Sequence, residues 1–280
     1  MKVLITGAGG QLGTELALYL KRELAQAAIF PLSRQDLDIT DFQKVHQVIN
    51  AIRPDVIIHA AAYTKVDQAE TDKDLAYAIN ASGTRNIALC GENVGAKLVY
   101  ISTDYVFDGR KDVPYTEFDQ PNPLNTYGRT KLAGEEFIKS ASSRHFIIRT
   151  SWVYGKYGNN FVKTMLHLAQ ERQELMVVDD QVGSPTYTLD LAEFIVSLMK
   201  TEQYGIYHAT NVGACSWYEL ASEIFSLKGI KVKLRPCRSD EFIRPARRPA
   251  YSVLDHMEIR NKGFQELRPW QAGLDSFIHG

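Results

Sequence analysis

The sequence predicts an α/β fold built on a doubly wound parallel sheet, and three observations predict it. Residues 2–6 form a short apolar run with β-branched residues that stops at a glycine, as a buried parallel strand does. Three glycines then lead into leucines at helical spacing. Further apolar runs at 28–32, 54–62 and 97–102 alternate with helical stretches at 41–52 and 75–93, which is the alternation expected of βαβ units.

The first strand and its turn have the spacing of a dinucleotide-binding site. Gly7, Gly10 and Gly13 follow a G-x-x-G-x-x-G pattern, which supplies a tight turn, bare backbone against a pyrophosphate and close packing of helix on strand. The N-terminus of the following helix presents unpaired N–H groups and a partial positive charge to phosphates. A tight turn without a ligand is the competing interpretation, and the position between strand and helix favours a cofactor.

Length and composition are those of an ordinary soluble enzyme. The 280 residues carry 32 Lys and Arg against 33 Asp and Glu, and the net charge of −1 argues against a nucleic-acid binder. No apolar run is long enough to span a bilayer, and the chain enters a strand at once, so neither membrane insertion nor a signal peptide is expected. Cys90, Cys215 and Cys237 are far apart, which suggests neither a disulfide framework nor a zinc cluster, and the cytoplasm is the expected location.

The end of the second strand bears on the choice of cofactor. Ser33 and Arg34 stand where NAD-binding folds commonly have an acidic residue, and a hydroxyl with a guanidinium suits a 2′-phosphate, which favours NADPH. A solvated loop position for Arg34 is an equal alternative. Asp38 can accept from the adenine amine while Ile39 packs on the ring, and a plain helix-capping turn is the competitor.

The third predicted strand ends in small residues. The alanines there allow a flat cofactor to lie against the backbone as the chain runs out into a loop. His59 lies within this strand and is predicted to be a packed core histidine rather than a ligand. The residues predicted to line the cofactor here are Ala60, Ala61, Ala62, Tyr63 and Thr64.

Polar residues end the fourth strand, and a tyrosine–lysine pair follows downstream. Open α/β sheets bind ligands at the carboxyl ends of their strands, which is where Thr103, Asp104 and Tyr105 stand. Tyr127 and Lys131 are four residues apart, so they share one face of a helix. The lysine charge favours the phenolate and brings the tyrosine closer to acid–base work. On its own, such a pair is common on helix surfaces. Together with the glycine turn and Thr103 it indicates a catalytic site.

Together these motifs resemble the extended short-chain dehydrogenase/reductases, which have a Rossmann-type fold and act largely on nucleotide sugars. More closely, six segments in the expected order resemble the branch of that family that reduces a dTDP-linked 4-keto sugar. They are AAAYTKVDQAE (60–70), STDYVFDG (102–109), YGRTKLAGE (127–135), RTSWVYG (149–155), DQVGSPT (180–186) and RPAYSVLD (248–255).

The resemblance implies an oxidoreductase that transfers hydride from NADPH, the preferred cofactor, or NADH. The substrate would be dTDP-4-dehydro-L-rhamnose, reduced at C4 to dTDP-L-rhamnose in the last step of dTDP-rhamnose biosynthesis. Tyr127 would protonate the forming alkoxide, Lys131 would lower the tyrosine pKa and bind the nicotinamide ribose, and Thr103 would hydrogen-bond the substrate oxygen. Carried over as cofactor contacts are Gly10, Gln11, Leu12, Asp38, Ile39, 62–64, Tyr127 and Lys131, and as sugar contacts Asp104, Tyr105 and Trp152.

Some members of that family are described with a divalent metal at a dimer interface. No spacing in this sequence requires a metal, so Mg²⁺ and a homodimer are expectations from the resemblance alone. The dTDP-sugar is the expected partner, with no nucleic acid and no membrane.

The second half of the chain is predicted to bind the sugar nucleotide. Trp152 can stack on the sugar or wall it in, with core packing as an even alternative. Asn160 precedes an amphipathic helix and can offer its amide to the nucleotide. A basic, proline-stiffened loop contains Arg248, the candidate for the diphosphate, because a guanidinium is its planar partner; Arg244 and Arg247 are candidates for plain solvated residues.

The two domains are predicted to interleave. A strand over 147–153 is expected to cross into the substrate domain, and a helix over 189–200 and a strand over 205–208 are expected to return to the main sheet. The dinucleotide-binding domain is therefore predicted at 1–150 and about 186–210, and a smaller C-terminal substrate domain at about 151–185 and 211–280.

Two other functions are possible on this scaffold. A nucleotide-sugar 4-epimerase would hold its NAD tightly and turn over without added nicotinamide. A non-catalytic NADP-binding regulatory subunit would bind a partner enzyme, but the intact Thr103, Tyr127 and Lys131 favour catalysis. Dehydratases of the family place an acid where this chain has Tyr105, which argues against dehydration.

Overall fold

A computed structural model describes all 280 residues, and a sheet of six strands lies at its centre. Its strands are β1 (Lys2–Thr6), β2 (Ala28–Leu32), β3 (Val56–His59), β4 (Lys97–Thr103), β5 (His145–Thr150) and β10 (Gly205–His208). All pairings in the sheet are parallel, and the strand order is β10-β5-β4-β3-β1-β2. The predicted α/β fold with a parallel sheet is confirmed. After β2 the chain crosses to the other side of β1, so β1 lies at the switch point where such sheets bind ligands.

Helices cover both faces of this sheet because each carries an apolar stripe. On one face α1 (Gln11–Glu23) and α7 (Thr188–Leu198) pack against the strands through buried leucines and isoleucines. On the other face lie α2 (Phe42–Ile52), α4 (Thr84–Asn93) and α5 (Thr126–Ala141). The strands between them are buried on both sides, which explains their nearly continuous apolar sequences.

A smaller unit with its own apolar core lies outside the sheet. Its core joins three helices to a parallel two-stranded pair, with two further short strand pairs beside it. Its elements are β6 (Val153–Tyr154), α6 (Phe161–Glu171), β7 (Glu174–Val178), β8 (Val182–Gly183), β9 (Thr186–Tyr187), β11 (Cys215–Ser216), α8 (Trp217–Lys228), β12 (Lys233–Cys237) and α10 (Trp270–His279). The remaining α-helices are the short α3 (Lys73–Tyr77) and α9 (Met257–Asn261).

Two predicted elements are divided in the structure. The helical stretch predicted to end at Asn93 contains a π-helical turn, Ala78–Gly83, between α3 and α4. The strand predicted over 147–153 ends at Thr150 and resumes as β6, because Trp152 has a φ of +48° and breaks the extended backbone. No helix in the chain is both long enough and apolar enough to cross a membrane.

Candidate active site

The glycine turn after β1 holds backbone that tolerates no side chain. Gly7 has a φ of +71°, and a Cβ there would lie 2.6 Å from the backbone nitrogen of Ala61. A Cβ on Gly13 would lie 2.2 Å from the Gly7 carbonyl oxygen, so α1 packs directly against the turn. Gly10 donates its N–H to the same carbonyl at 2.9 Å. The turn thus combines a tight bend with close packing of helix on strand.

The N-terminus of α1 fits the pyrophosphate of a dinucleotide. Gly10 is the N-cap and offers no side chain, and the first turn contains no acidic residue. Gly9 and Gly10 are exposed. The N–H groups of Gln11, Leu12 and Gly13 therefore point out of the helix end without a capping partner, at the positive end of its dipole.

The segment after β2 is organised by local turns. Ser33 donates its N–H and its hydroxyl to the carboxylate three residues on, at 2.8 and 2.6 Å, and Arg34 is exposed. Asp38 Oδ1 accepts from the N–H and the hydroxyl of Thr40, at 3.0 and 2.7 Å, while Ile39 is buried. These contacts leave the Oδ2 oxygen of Asp38 for an adenine, so the turn and the predicted cofactor contact are compatible.

His59, at the end of β3, is a core residue, and that prediction is confirmed. It is 0% exposed and hydrogen-bonded to the hydroxyls of Thr6 and Thr84, at 2.6 and 3.0 Å. Burial lowers its pKa to about 3, with the charge of Lys131 acting in the same direction. The imidazole is therefore neutral at neutral pH and links β3 to β1 and to the start of α4.

A residue that the sequence analysis did not single out holds the predicted cofactor loop. Asn80 Oδ1 accepts from the Tyr63 N–H at 2.7 Å, and Asn80 Nδ2 donates to the Tyr63 carbonyl and to Thr130 Oγ1 at 3.1 and 3.0 Å. These bonds fix the loop of residues 60–64 against α5. Asn80 lies in the π-helical turn, a feature frequent at functional sites but invisible in hydrophobic spacing.

The end of β4 and the start of α5 bring Tyr127 next to the predicted sugar contacts. Asn125 caps α5 by accepting from the Gly128 N–H at 2.8 Å. A Cβ on Gly128 would lie 2.1 Å from the Tyr105 carbonyl oxygen, so the helix approaches the strand end very closely. The rings of Tyr127 and Tyr105 meet edge to face, with centroids 5.8 Å apart. Thr103 donates its hydroxyl to the next residue's carboxylate at 3.0 Å.

Lys131 extends from the next turn of α5 to the last residues of β4. It is 2% exposed, its Nζ donates to the Ile101 carbonyl at 2.7 Å, and it lies 4.0 Å from the centre of the Tyr100 ring. The predicted lysine, tyrosine and threonine therefore share one edge of the sheet.

The acid–base balance of this pair differs from the expectation. Burial raises the pKa of Tyr127 to about 12, although hydrogen bonding to Thr103 lowers it. Burial also lowers the pKa of Lys131 to about 7, opposed by the charge of Glu135. In the free protein the pKa of Tyr127 lies above its ordinary value because burial outweighs the hydrogen bond to Thr103, and the lowering of this pKa by Lys131 stays a prediction. The phenol keeps its proton and is a proton donor at neutral pH.

Asp104 is a buried carboxylate whose second oxygen makes no hydrogen bond of normal geometry, although the Ser252 side chain lies close enough to lower the pKa of the group. Asp104 is 2% exposed. Burial raises its pKa to about 6. An unsatisfied buried acceptor at the carboxyl edge of the sheet suits a sugar hydroxyl, which would donate to it.

Replacing Asp104 by asparagine is expected to stabilise the protein above pH 6. A carboxyl whose pKa is raised on folding contributes stability at low pH, and this is lost as the pH rises through the folded pKa. A shift of about 2 pH units corresponds to roughly 2–3 kcal/mol at pH 8. Melting curves at pH 8 and pH 5 should show a clear gain in Tm at pH 8 and a smaller one at pH 5. The exposed Asp112→Asn is the control, and an equal gain at both pH values would contradict this account.

Trp152 is half-buried and positioned by an aromatic stack. Its ring lies 3.5 Å from that of Trp217 and nearly parallel to it, with an interplanar angle of 8°. A Cβ on Gly183 would lie 2.6 Å from the Trp152 ring. Its left-handed backbone costs roughly 1–3 kcal/mol, which the stack helps to offset, and such strain concentrates at functional sites. Both the sugar-facing and the packing interpretations are thus compatible with its position.

Asn160 links the cofactor turn to the smaller unit. Its Nδ2 donates to Gln11 Oε1 and to the Gly155 carbonyl at 2.8 and 2.9 Å, and its Oδ1 caps α6 by accepting from the Lys163 N–H at 3.0 Å. Gln11 in turn donates to the Val153 carbonyl at 3.0 Å. A nucleotide contact by Asn160 stays a prediction, and it requires the exchange of one of these bonds.

Arg248 forms an ion pair that the sequence did not predict. Its two terminal nitrogens donate to both carboxylate oxygens of Asp67, at 3.1 and 3.0 Å, and Arg244 lies 3.6 Å from the same group. Tyr105 and Arg248 are close enough to shift each other's pKa. The guanidinium is therefore held beside the predicted sugar contacts by a carboxylate 181 residues away.

No group of three or more His, Cys, Asp or Glu side chains within this chain is arranged to hold a metal ion.

Comparisons with known proteins agree on one family. A family model described as the RmlD substrate binding domain matches residues 1–280. A dTDP-4-dehydrorhamnose reductase from Streptomyces griseus is 43% identical over 97% of this chain and 91% of its own length. The spore coat polysaccharide biosynthesis protein SpsK from Bacillus subtilis (strain 168) is 45% identical over 99% of this chain and 96% of its own.

Solved structures extend this likeness to three dimensions. A dTDP-4-dehydrorhamnose reductase from Bacillus anthracis in complex with NADP matches with a TM-score of 0.96 and 52% identity, covering 99% of this chain and 98% of that one. The UDP-glucose 4-epimerase from Thermus thermophilus in complex with NAD matches with a TM-score of 0.85 over 99% and 98% of the two chains. At 20% identity, this second likeness concerns the fold alone.

Proposed function

The chain belongs to the RmlD family, which includes the dTDP-4-dehydrorhamnose reductases, and from this premise we propose that it reduces dTDP-4-dehydro-L-rhamnose to dTDP-L-rhamnose. The observation that carries the proposal is the meeting of Thr103, Tyr127 and Lys131 where β4 ends, with β3 between that strand and β1 at the switch point of the sheet. Reduction of a ketone requires a hydride and a proton on one carbonyl, and these residues serve the proton side.

The protein's own residues bind the ketone and move one proton. Tyr127 holds a phenolic proton at neutral pH and delivers it to the C4 oxygen as the alkoxide forms. Thr103 turns its hydroxyl from Asp104 to the same oxygen and stabilises the developing charge. The Lys131 ammonium balances the phenolate left behind. When bound, the nicotinamide supplies the hydride.

The cofactor site combines the glycine turn with the ends of β2 and β3. The uncapped α1 end would bind the pyrophosphate, Asp38 and Ile39 the adenine, and the loop of residues 60–64 the nicotinamide half. We prefer NADPH to NADH because the exposed Arg34 follows Ser33 at the end of β2, where a 2′-phosphate would lie.

The sugar nucleotide would lie against the smaller unit. Asp104 and Tyr105 would contact the sugar and Trp152 would flank it, while Arg248 would bind the diphosphate. We retain the proposed division into a dinucleotide-binding domain, 1–150 and about 186–210, and a substrate domain, about 151–185 and 211–280. The return of the chain through α7 and β10 to the main sheet supports it.

Arg248→Gln is expected to raise the KM for the dTDP-sugar by about 10- to 100-fold, because a charge-assisted hydrogen bond contributes roughly 1.5–3 kcal/mol. The KM for NADPH should stay within about twofold, since this loop does not belong to the cofactor site. The control is Arg247→Gln, whose side chain is exposed and whose backbone carbonyl accepts from Asn125 Nδ2. Steady-state kinetics with each substrate varied in turn decide the point. Equal KM changes in the two variants would remove Arg248 from the site.

The compartment and assembly are further parts of the proposal. Three buried cysteines without a disulfide suit a reducing cytoplasm. The net charge of −1 supports the absence of nucleic-acid binding. A homodimer is proposed from the resemblance, and light scattering measures it directly.

The deciding experiment supplies dTDP-4-dehydro-L-rhamnose and follows absorbance at the nicotinamide band with NADPH and NADH in separate reactions. Stoichiometric cofactor oxidation with formation of dTDP-L-rhamnose is the expected result. Isomerisation of a sugar nucleotide without net cofactor oxidation would instead indicate a 4-epimerase. Cofactor binding without any turnover would indicate a non-catalytic regulatory subunit. Neither alternative is favoured by the family to which the chain belongs.

A further inference from the structure

A buried ion pair lies behind the catalytic helix, and the reaction described above does not use it. Glu135 on α5 is 0% exposed and Arg149 on β5 is 1% exposed. They form two parallel bonds, Arg149 Nε to Glu135 Oε1 at 3.0 Å and Nη2 to Oε2 at 2.7 Å. The Ser102 hydroxyl also donates to Glu135 Oε1, at 2.5 Å. Burying two charges costs several kcal/mol each, so a pair in this position calls for a function beyond stability.

Glu135 continues the line of catalytic residues on the helix. Tyr127, Lys131 and Glu135 are each four residues apart, so they lie on one face of α5 in successive turns. Lys131 binds the Ile101 carbonyl and Glu135 binds the next residue of β4, Ser102. The residue after Ser102 is Thr103. Three consecutive residues at the end of β4 therefore lie against one face of α5.

We propose that Glu135 is a positioning residue for the reduction: its carboxylate is the counter-charge that keeps the Lys131 side chain an ammonium ion, and through Ser102 it fixes α5 against the strand end that carries Thr103. The role of Glu135 in catalysis rests on the proposed function, whereas its effect on the Lys131 side chain does not. Arg149 orients the carboxylate and limits its strength as a counter-charge.

The surroundings of Lys131 leave Glu135 as its source of negative charge. Burial favours the neutral amine and lowers the pKa of Lys131, and Glu135 is the group that opposes this. Asp104, on the turn after β4, acts on Tyr127 instead. The other titratable groups facing this region are neutral or cationic at pH 7: Tyr127 on α5, Tyr100 on β4, His59 on β3, Arg149 on β5 and His208 on β10.

The competing explanation is that the pair only holds α5 on the sheet. The two explanations differ in the sign of one measurable shift. If Glu135 is the counter-charge, its removal and the removal of Arg149 must change Lys131 in opposite directions, because Arg149 neutralises part of the carboxylate. If the pair is only a structural tie, breaking it from either side loosens the same contact, and the two changes have the same sign.

The test uses the full chain labelled with ¹³C at lysine Cε, with the Lys131 resonance assigned by its absence in Lys131→Met. NMR titration then reads the protonation of Lys131 without substrate or turnover. The variants are Glu135→Gln, Arg149→Met and, as a control, the exposed Glu136→Gln. If single variants fold poorly because one buried charge is left unpaired, the neutral pair Glu135→Gln with Arg149→Gln replaces them.

We expect the pKa of Lys131 to fall by about 1 pH unit or more in Glu135→Gln, to rise in Arg149→Met and to stay unchanged in Glu136→Gln. The neutral pair should also titrate below wild type. The alkaline limb of kcat against pH should move with these shifts, since the reaction needs the ammonium form. A wild-type titration in Glu135→Gln or in the neutral pair, or shifts of one sign in both single variants, would overturn the inference. Failure of the proposed function would instead appear as wild-type protein that does not oxidise NADPH with the keto-sugar, while Lys131 still follows Glu135.

Discussion

Tyr127→Phe is expected to lower kcat by about 10²- to 10⁴-fold, the usual contribution of a positioned general acid. The substitution removes the hydroxyl of the proposed proton donor and leaves the ring, which keeps its edge-to-face contact with Tyr105. The affinity for NADPH should be unchanged, because the glycine turn and the α1 end, which we propose bind the pyrophosphate, lie on other elements. The loss should therefore fall on the chemical step and spare cofactor binding.

Two measurements separate this loss from a general defect. Fluorescence titration gives the dissociation constant for NADPH, and stopped-flow absorbance gives the single-turnover rate with the keto-sugar. Tyr77→Phe is the matched control, since it makes the same change at a tyrosine that is 46% exposed on α3. Turnover of Tyr127→Phe within threefold of wild type would mean that another group, or solvent, protonates the C4 oxygen.

Local sequence predicted the parts of this molecule that depend on local spacing. The period of apolar residues located the six strands of the sheet, and the Gly7–Gly13 spacing located the turn that packs helix on strand. The four-residue interval between Tyr127 and Lys131 placed both on one helix face. Each of these inferences needs only a few neighbouring residues.

The remaining features depend on contacts between distant parts of the chain. Asp67 pairs with Arg248, which lies 181 residues away in the sequence, and the spacing of charges in the sequence does not predict this pair. The stack of Trp152 on Trp217 depends on a left-handed residue that no propensity predicts.

The sequence also could not predict that the pKa of Tyr127 is raised in the folded protein. Desolvation follows burial, and burial is set only when the strand end and the helix have packed. The same holds for Glu135. The sequence does not distinguish it from other glutamates on helices, and only its contacts with Arg149 and Ser102 in the fold do so.

The second large effect is expected from Gly13→Ala, which should abolish NADPH binding and destabilise the fold. The new methyl group would lie 2.2 Å from the Gly7 carbonyl oxygen and 2.8 Å from Ala8 Cα, and both are backbone atoms that cannot rotate away. The start of α1 must move, at a cost of about 1–3 kcal/mol or more. Its N–H groups then no longer converge on the pyrophosphate.

Gly9→Ala separates that packing effect from a direct effect on the cofactor. A Cβ on Gly9 would meet only Ser33 Cβ, at an ordinary 3.7 Å, and its backbone is not left-handed. The free Gly9→Ala protein should therefore melt within about 1–2 °C of wild type, because a surface change of this kind alters stability by at most about 0.5 kcal/mol. Any loss of NADPH affinity in that variant is then caused by steric contact with the phosphates, whereas Gly13→Ala should lower both the Tm and the affinity.

The turn and α1 are packed against each other as one unit at Gly13. A side chain at this position should therefore disturb both the backbone that we propose contacts the cofactor and the packing that orients the helix. A Gly13→Ala protein with wild-type Tm and NADPH affinity would show that α1 can retreat from Gly7 without disturbing the site, and the glycine pattern would lose its physical explanation.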